Sequence, residues 1–177
     1  MNAVSVVIPV YNCERFLAET LNAVAAQSRP AAEIIVVDDE STDGSVRVAL
    51  ESGIPLRLIR RPNSGVSHAR NVGLAAAEGD FVCFLDQDDI WHPAHLARQI
   101  ACFETRPEAG VVFSRFQHWY PEHGDHPSPS SLWAIDSDDA IDPEFSGWIY
   151  HQFLRDCWAL TSLAAKIGPN FNWEGEV

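Results

Sequence analysis

Apolar residues fall along this chain in two alternating rhythms. Val4–Val10 is a nearly continuous β-branched run, which reads as a strand. After the turn-forming pair Tyr11-Asn12, the residues Phe16, Leu17, Thr20, Leu21 and Val24 recur at the spacing of one helical face. Pro30 closes that helix, and Ile34-Ile35-Val36-Val37 forms a second, fully apolar strand. The polar loop Asp38–Gly44 then leads into another helical stretch. Leu56–Ile59 is a third, more alternating strand. Beyond the loop Arg61–Gly65, Val66, Ala69, Val72, Gly73 and Ala76 trace a further helix. Phe81–Leu85 is the fourth strand, Pro93 opens a helix carrying Leu96, Ile100 and Phe103, and Val111–Phe113 offers a fifth strand. Strands this apolar are buried on both faces, as in a parallel sheet. With right-handed crossovers, the alternation predicts a doubly wound three-layer α/β/α sandwich.

The texture changes after Phe116. Tyr120–Pro143 is rich in Pro, Ser, His and Asp without periodicity and reads as a long loop, whereas the aromatics of 145–163 suit a short helix and a further strand. The last residues, 168–177, show no regular pattern.

Composition narrows the partners. A chain of 177 residues with 46% apolar content suffices for one domain with a sizeable core. A formal charge of −13 repels nucleic acid and anionic membrane surfaces, so an anionic substrate must be met by a metal or a few placed arginines. Cys13, Cys83, Cys102 and Cys157 lack metal or redox spacing and read as reduced, mostly buried thiols. The start shows no signal peptide, and no apolar run approaches transmembrane length. A cytoplasmic protein is expected, with room for a peripheral place at the membrane.

Three groups converge on the C-terminal edge of the expected sheet, where open α/β sheets keep their ligands. Pro9-Val10-Tyr11-Asn12 offers a ring that can stack on a planar base, or simply a packed turn tyrosine. Asp38-Asp39 can accept from an imide N–H or a ribose hydroxyl, while Ser41, Thr42 and Asp43 read as turn and capping residues. Asp86-Gln87-Asp88-Asp89 delivers three carboxylates within four residues, which suits a hard cation such as Mg²⁺ or Mn²⁺ or a solvated acidic loop. Arg70 follows a glycine-containing loop whose free N–H groups favour an anion, so it can meet a phosphate or else lie on the surface beside Glu78. Asn63 and Gly65 read as turn formers. His118, His123 and His126 match no zinc pattern, and Asp136–Asp142 no calcium loop.

The segments VSVVIPVYN, IIVVDDESTDGS, SGVSHARNVGL and GDFVCFLDQDD, in this order and spacing, resemble the nucleotide-sugar-binding half of inverting glycosyltransferases of family 2. The resemblance implies a GT-A (Rossmann-like) fold with a mostly parallel central sheet. It divides one domain into a nucleotide-sugar-binding half at 1–115 and an incomplete acceptor-side half at 116–177. It implies that Tyr11 and Asp39 hold the base, with Pro9 beside them, that Arg70 lies near the pyrophosphate, and that Asp86 and Asp88 form the D-x-D metal site. In that site Asp88 is the direct ligand and Asp86 faces ribose or metal, which leaves Asp89 a structural role or one supporting the ligands from behind. The implied reaction is transfer from a UDP-linked sugar to a glycan or lipid-linked acceptor hydroxyl, with Mn²⁺ or Mg²⁺.

Relatives place a general base after a GxFDE-like segment. This chain reads KIGPNFNWEGEV there, leaving Glu174 and Glu176 as candidates. A C-terminally truncated relative that only binds nucleotide is therefore one alternative. A phosphoryl-receiving signalling domain is another; it leaves Tyr11 and Arg70 unexplained, and Lys166 is badly placed for it.

Overall fold

The computed structural model describes residues 2–112, 114 and 164–166, the last three by their backbone. The expected long loop, the aromatic segment 145–163, Cys157, Asp136–Asp142, His118, His123, His126, Glu174 and Glu176 lie outside the described residues.

The elements follow the apolar rhythm: β1 (Val4–Val10), α1 (Leu17–Ala25), β2 (Glu33–Asp38), α2 (Ser45–Glu51), β3 (Arg57–Arg60), α3 (Val66–Ala76), β4 (Phe81–Phe84), α4 (His95–Thr105), β5 (Val111–Val112) and β6 (Ala164–Lys166). They build one sheet in the order β3-β2-β1-β4-β6-β5. The first four strands are parallel, with Val6 opposite Ile34 on one side and Cys83 on the other. β6 runs antiparallel between β4 and β5, pairing Val82 with Ala165 and Val112 with Ala164.

This insertion differs from the simple alternation expected. The fifth strand is not β4's neighbour, because a three-residue strand from the part read as the acceptor-side half separates them. Nothing in Ala164-Ala165-Lys166 marks a strand locally. Hydrogen-bonding edges from distant sequence on both sides make it one.

Alternation along β1 sorts the layers. Val4, Val6, Ile8 and Val10 pack with Ile34, Val36, Phe81, Cys83 and Leu85 against Leu17, Leu21 and Val24 of α1, Ala49 of α2, and Leu96, Ile100 and Phe103 of α4. Fully burying each such aliphatic side chain contributes about 1.5–3 kcal/mol before conformational entropy is subtracted. α3 takes the opposite face. There Gly73 comes so close to Val7 that a Cβ on it would lie 2.2 Å from Val7 Cγ1. Right-handed crossovers account for the split. The chain moves outward from β1 through β2 to β3 with α1 and α2 on one face, and its return to the far side of β1 through β4 puts α3 on the other.

Candidate functional site

That reversal opens a crevice between the C-terminal ends of β1 and β4. A cavity of about 370 Å³ sits there, walled by Pro9 and Val10 at the end of β1 and Tyr11 after it, Asp39 after β2, the loop and first turns of α3, and Asp86-Gln87-Asp88 after β4. Of the residues expected at the site, Pro9, Tyr11, Asp39, Asp86 and Asp88 line it together. Arg70 does not; it lies behind Asp86.

At one end, Tyr11 is 48% exposed although it follows a fully buried strand. Asn12 takes a positive φ of 49°, which turns the chain sharply after the tyrosine. The Asn12 amide oxygen accepts from the backbone N–H of Thr42 at 2.8 Å and of Asp43 at 3.3 Å, while its own N–H donates to Ser41 Oγ. The loops after β1 and β2 are thereby tied to each other.

Asp39 is only 3% exposed, and its two carboxylate oxygens accept the backbone N–H of Ser64 (3.0 Å) and of Gly65 (2.9 Å). These loop N–H groups, read from the sequence as free for an anion, are thus already taken by a carboxylate of the chain. Each Asp39 oxygen keeps a further lone pair, and Asp39 lines the cavity. Gly65 stands at φ 87°, a conformation that favours glycine, and Asn63 donates its side-chain amide to Asp39 O, which suits the expected turn geometry, while both residues also line the cavity. Asp38 is fully buried and paired with Arg60 Nε at 3.1 Å, which makes it a support for the edge.

At the other end, residues 86–89 form a turn closed by Asp89 N–H donating to Asp86 O at 3.1 Å. The turn leaves Asp88 exposed and Asp86 half-buried. Arg70 is 5% exposed, and its Nη2 meets Asp86 Oδ1 at 2.5 Å. It is neither on the surface nor beside Glu78; it orients Asp86 from within α3.

Gln87 escaped the sequence reading. Its side-chain oxygen accepts the backbone N–H of Tyr11 at 2.7 Å, its amide nitrogen donates to Tyr11 O at 3.2 Å, and its carbonyl accepts Thr20 Oγ1 at 2.8 Å. The signal was an uncharged amide between two aspartates at a strand end.

Other titrating groups lie away from the cavity or support its edge. Burial, with a contribution from His92, pushes His95 down to about 3; its ring stacks on Trp91 at 4.3 Å. Burial raises the thiols of Cys13 and Cys83, which are free, as expected of structural cysteines. Slight burial tends to raise the Asp43 carboxyl, but hydrogen bonds from Ser45 and Glu14 outweigh it and hold the carboxyl low.

The cavity lining carries Asp39, Asp86 and Asp88 and no lysine or arginine among the described residues. An anionic ligand entering it requires a cation. The hard oxygens of Asp88 and Asp86 suit Mg²⁺ or Mn²⁺ bound by one or two carboxylates together with ligand phosphates. They fall short of a complete protein cage, and no cluster of three or more metal-binding side chains occurs among the described residues.

Residues 5–156 match the family described as Glycosyl transferase family 2. The chain belongs to this family. The family-2 chain is 42% identical over 113 residues to the uncharacterized glycosyltransferase alr2836 of Nostoc sp., a match covering 62% of this chain and 35% of that protein. It is 37% identical over 121 residues to the amylovoran biosynthesis glycosyltransferase AmsB of Erwinia amylovora, covering 63% and 40%. The chain thus spans less than half the length of these family-2 relatives.

Among solved structures, S. aureus TarS 1-349 in complex with UDP matches with a TM-score of 0.60 at 31% identity, over 65% of this chain and 36% of that one. Glucosyl-3-phosphoglycerate synthase of Mycobacterium tuberculosis, in complex with Mn²⁺, UDP and glucosyl-3-phosphoglycerate, matches with a TM-score of 0.57 at 27% identity, over 66% and 44%. The fold is the Rossmann-like GT-A arrangement. No described helix is long and apolar enough to cross a membrane.

Proposed function

We propose that this family-2 chain binds a nucleotide-sugar, with a UDP-linked donor fitting best, and transfers the sugar with inversion to the hydroxyl of a glycan or lipid-linked acceptor, using Mn²⁺ or Mg²⁺. One observation carries the reading: a single cavity at the sheet's reversal point has an exposed aromatic ring and a buried carboxylate at one end, and an exposed carboxylate turn at the other. Solved relatives bound to UDP, and to UDP with Mn²⁺, support it.

In this arrangement the Tyr11 ring stacks on the base, and Asp39 accepts from the base edge through the lone pairs that Ser64 and Gly65 leave open. Asp86, steadied by Arg70, faces the ribose or the metal. Asp88 holds the cation. When bound, the cation supplies Lewis-acid neutralisation of the charge that gathers on the departing diphosphate. The acceptor hydroxyl must lose a proton to attack the anomeric carbon, which calls for a general base. Glu174 and Glu176 are the candidates.

A thermal-shift titration tests the donor site. At about 100 times its Kd, UDP with Mn²⁺ should stabilise the fold by about 2.7 kcal/mol over Mn²⁺ alone. No shift beyond that of Mn²⁺ refutes the site. Hydrolysis of a UDP-sugar with Mn²⁺, lost on Asp88→Ala, then separates a working transferase from a chain that only binds nucleotide.

A further inference from the structure

Gln87 lies between the two aspartates of the metal turn, yet its side chain turns to the opposite bank of the crevice. Both backbone groups of Tyr11 go to this one amide, the N–H to Oε1 at 2.7 Å and the carbonyl to Nε2 at 3.2 Å. A primary amide can make this reciprocal pair; an acid or an amine of the same length offers only acceptors or only donors. Gln87 is itself fixed from behind, since its carbonyl accepts Thr20 Oγ1 of α1 at 2.8 Å and Cys13 Sγ at 3.6 Å. Tyr11, by contrast, has left β1, stands half in solvent, and precedes a residue at positive φ. Without the amide, nothing in the sheet ladder holds its backbone.

We infer that Gln87 is a positioning residue for the donor, fixing the Tyr11 ring at the register where it meets the base while its neighbour Asp88 serves the diphosphate end. The inference rests on the donor site proposed above. Mechanically, the turn that carries Asp88 and the residue that carries the ring become one rigid piece across the crevice. Gln87 acts on the nucleoside half of the ligand and leaves the diphosphate half alone.

The test compares two probes by calorimetry in saturating Mn²⁺, UDP and inorganic pyrophosphate, on the wild-type chain, Gln87→Met, Tyr11→Ala and the double variant. Methionine keeps the side chain's length and removes both hydrogen bonds. Gln87→Met should weaken UDP about tenfold, the equivalent of one to two net hydrogen bonds, and leave pyrophosphate within about twofold. In the Tyr11→Ala background the same substitution should change UDP affinity by less than about twofold, because the ring it positions is gone. Gln87→Asn keeps the amide but falls one methylene short; it should reproduce the split and stands in if the methionine variant fails to fold.

Equal losses for both probes, a loss that persists without Tyr11, or no loss of UDP affinity each overturn the inference. Failure of the wild-type chain to bind UDP overturns the donor site itself, and is recognised before any substitution is made.

Discussion

Gly73→Ala sets two physical effects of opposite sign against each other. By helix propensity alone, alanine in α3 stabilises by about 1 kcal/mol over glycine. By packing, the new methyl lands 2.2 Å from Val7 Cγ1, 3.1 Å from Cγ2 and 3.2 Å from Cβ, where carbon atoms ordinarily stand about 3.5–4.0 Å apart. Val7 cannot retreat. It is 0% exposed, its backbone is paired with Ile35 on one side and Phe84 on the other, and it belongs to the central strand. α3 must therefore move away, at an overpacking cost near the upper end of about 1–3 kcal/mol. The net expectation is a loss of about 2 kcal/mol.

Urea unfolding at equilibrium measures it as a lower midpoint at unchanged m. The reciprocal change supplies the control. Val7→Ala alone destabilises by removing buried methyls, but the double variant Val7→Ala, Gly73→Ala puts one methyl back into the space, so the pair should show a favourable coupling of at least about 1.5 kcal/mol. Arg70, which steadies Asp86, lies one turn earlier on α3. UDP·Mn²⁺ affinity should accordingly fall in Gly73→Ala and recover in the double variant. If Gly73→Ala is neutral or stabilising, the close seating of α3 on β1 is wrong, and so is the account of how the helix positions Arg70.

Three further outcomes are expected. Asp88→Ala should abolish Mn²⁺-dependent stabilisation by UDP and shift the urea midpoint of the unliganded chain little, because Asp88 is exposed; a variant that keeps the effect refutes its role as metal ligand. Arg70→Met leaves the half-buried Asp86 without its ion partner, so unfolding free energy should drop by about 2–4 kcal/mol and UDP·Mn²⁺ affinity should fall with it; unchanged affinity in a folded variant separates Arg70 from the donor site. His95 is held neutral in the fold, with its value lowered to about 3 against 6.5 in the unfolded chain. As pH falls the unfolded chain takes up the proton first, so this contribution is flat above pH 6.5 and is lost toward pH 3. Between pH 7 and pH 5 the wild type should lose about 2 kcal/mol more than His95→Leu, and equal slopes in urea unfolding refute the buried neutral histidine.

Much of the donor half was legible because its signals are local. The β-branched runs of β1, β2 and β4 and the 3.6-residue stripes of α1, α3 and α4 need only neighbours in sequence to be read, and a strand that ends in aspartates puts them on the ligand edge of any parallel sheet. Tyr11, Asp39, Asp86 and Asp88 could be brought to one edge by that reasoning. What the sequence does not show is partners. Arg70 read as a phosphate ligand or a surface arginine because nothing near it in sequence says that Asp86, 16 residues on, closes over it. The α3 loop read as an open anion site because the carboxylate filling it belongs to Asp39, 25 residues before Ser64. Gln87 offers in sequence only an uncharged amide between two aspartates, since its partner is a backbone 76 residues away.

The sequence by itself determined the alternation of elements, the parallel core and the acidic turn at the end of β4, because backbone propensity, side-chain period and the handedness of crossovers act over a few residues at a time. Tertiary structure decided which carboxylates are already bonded and which face the cavity, and where the antiparallel β6 enters the sheet. It also joined the two banks of the crevice through one glutamine. Hydrogen bonds and ion pairs depend on ångström-scale distances between residues far apart in the chain, and only the packed sheet with its helices sets those distances.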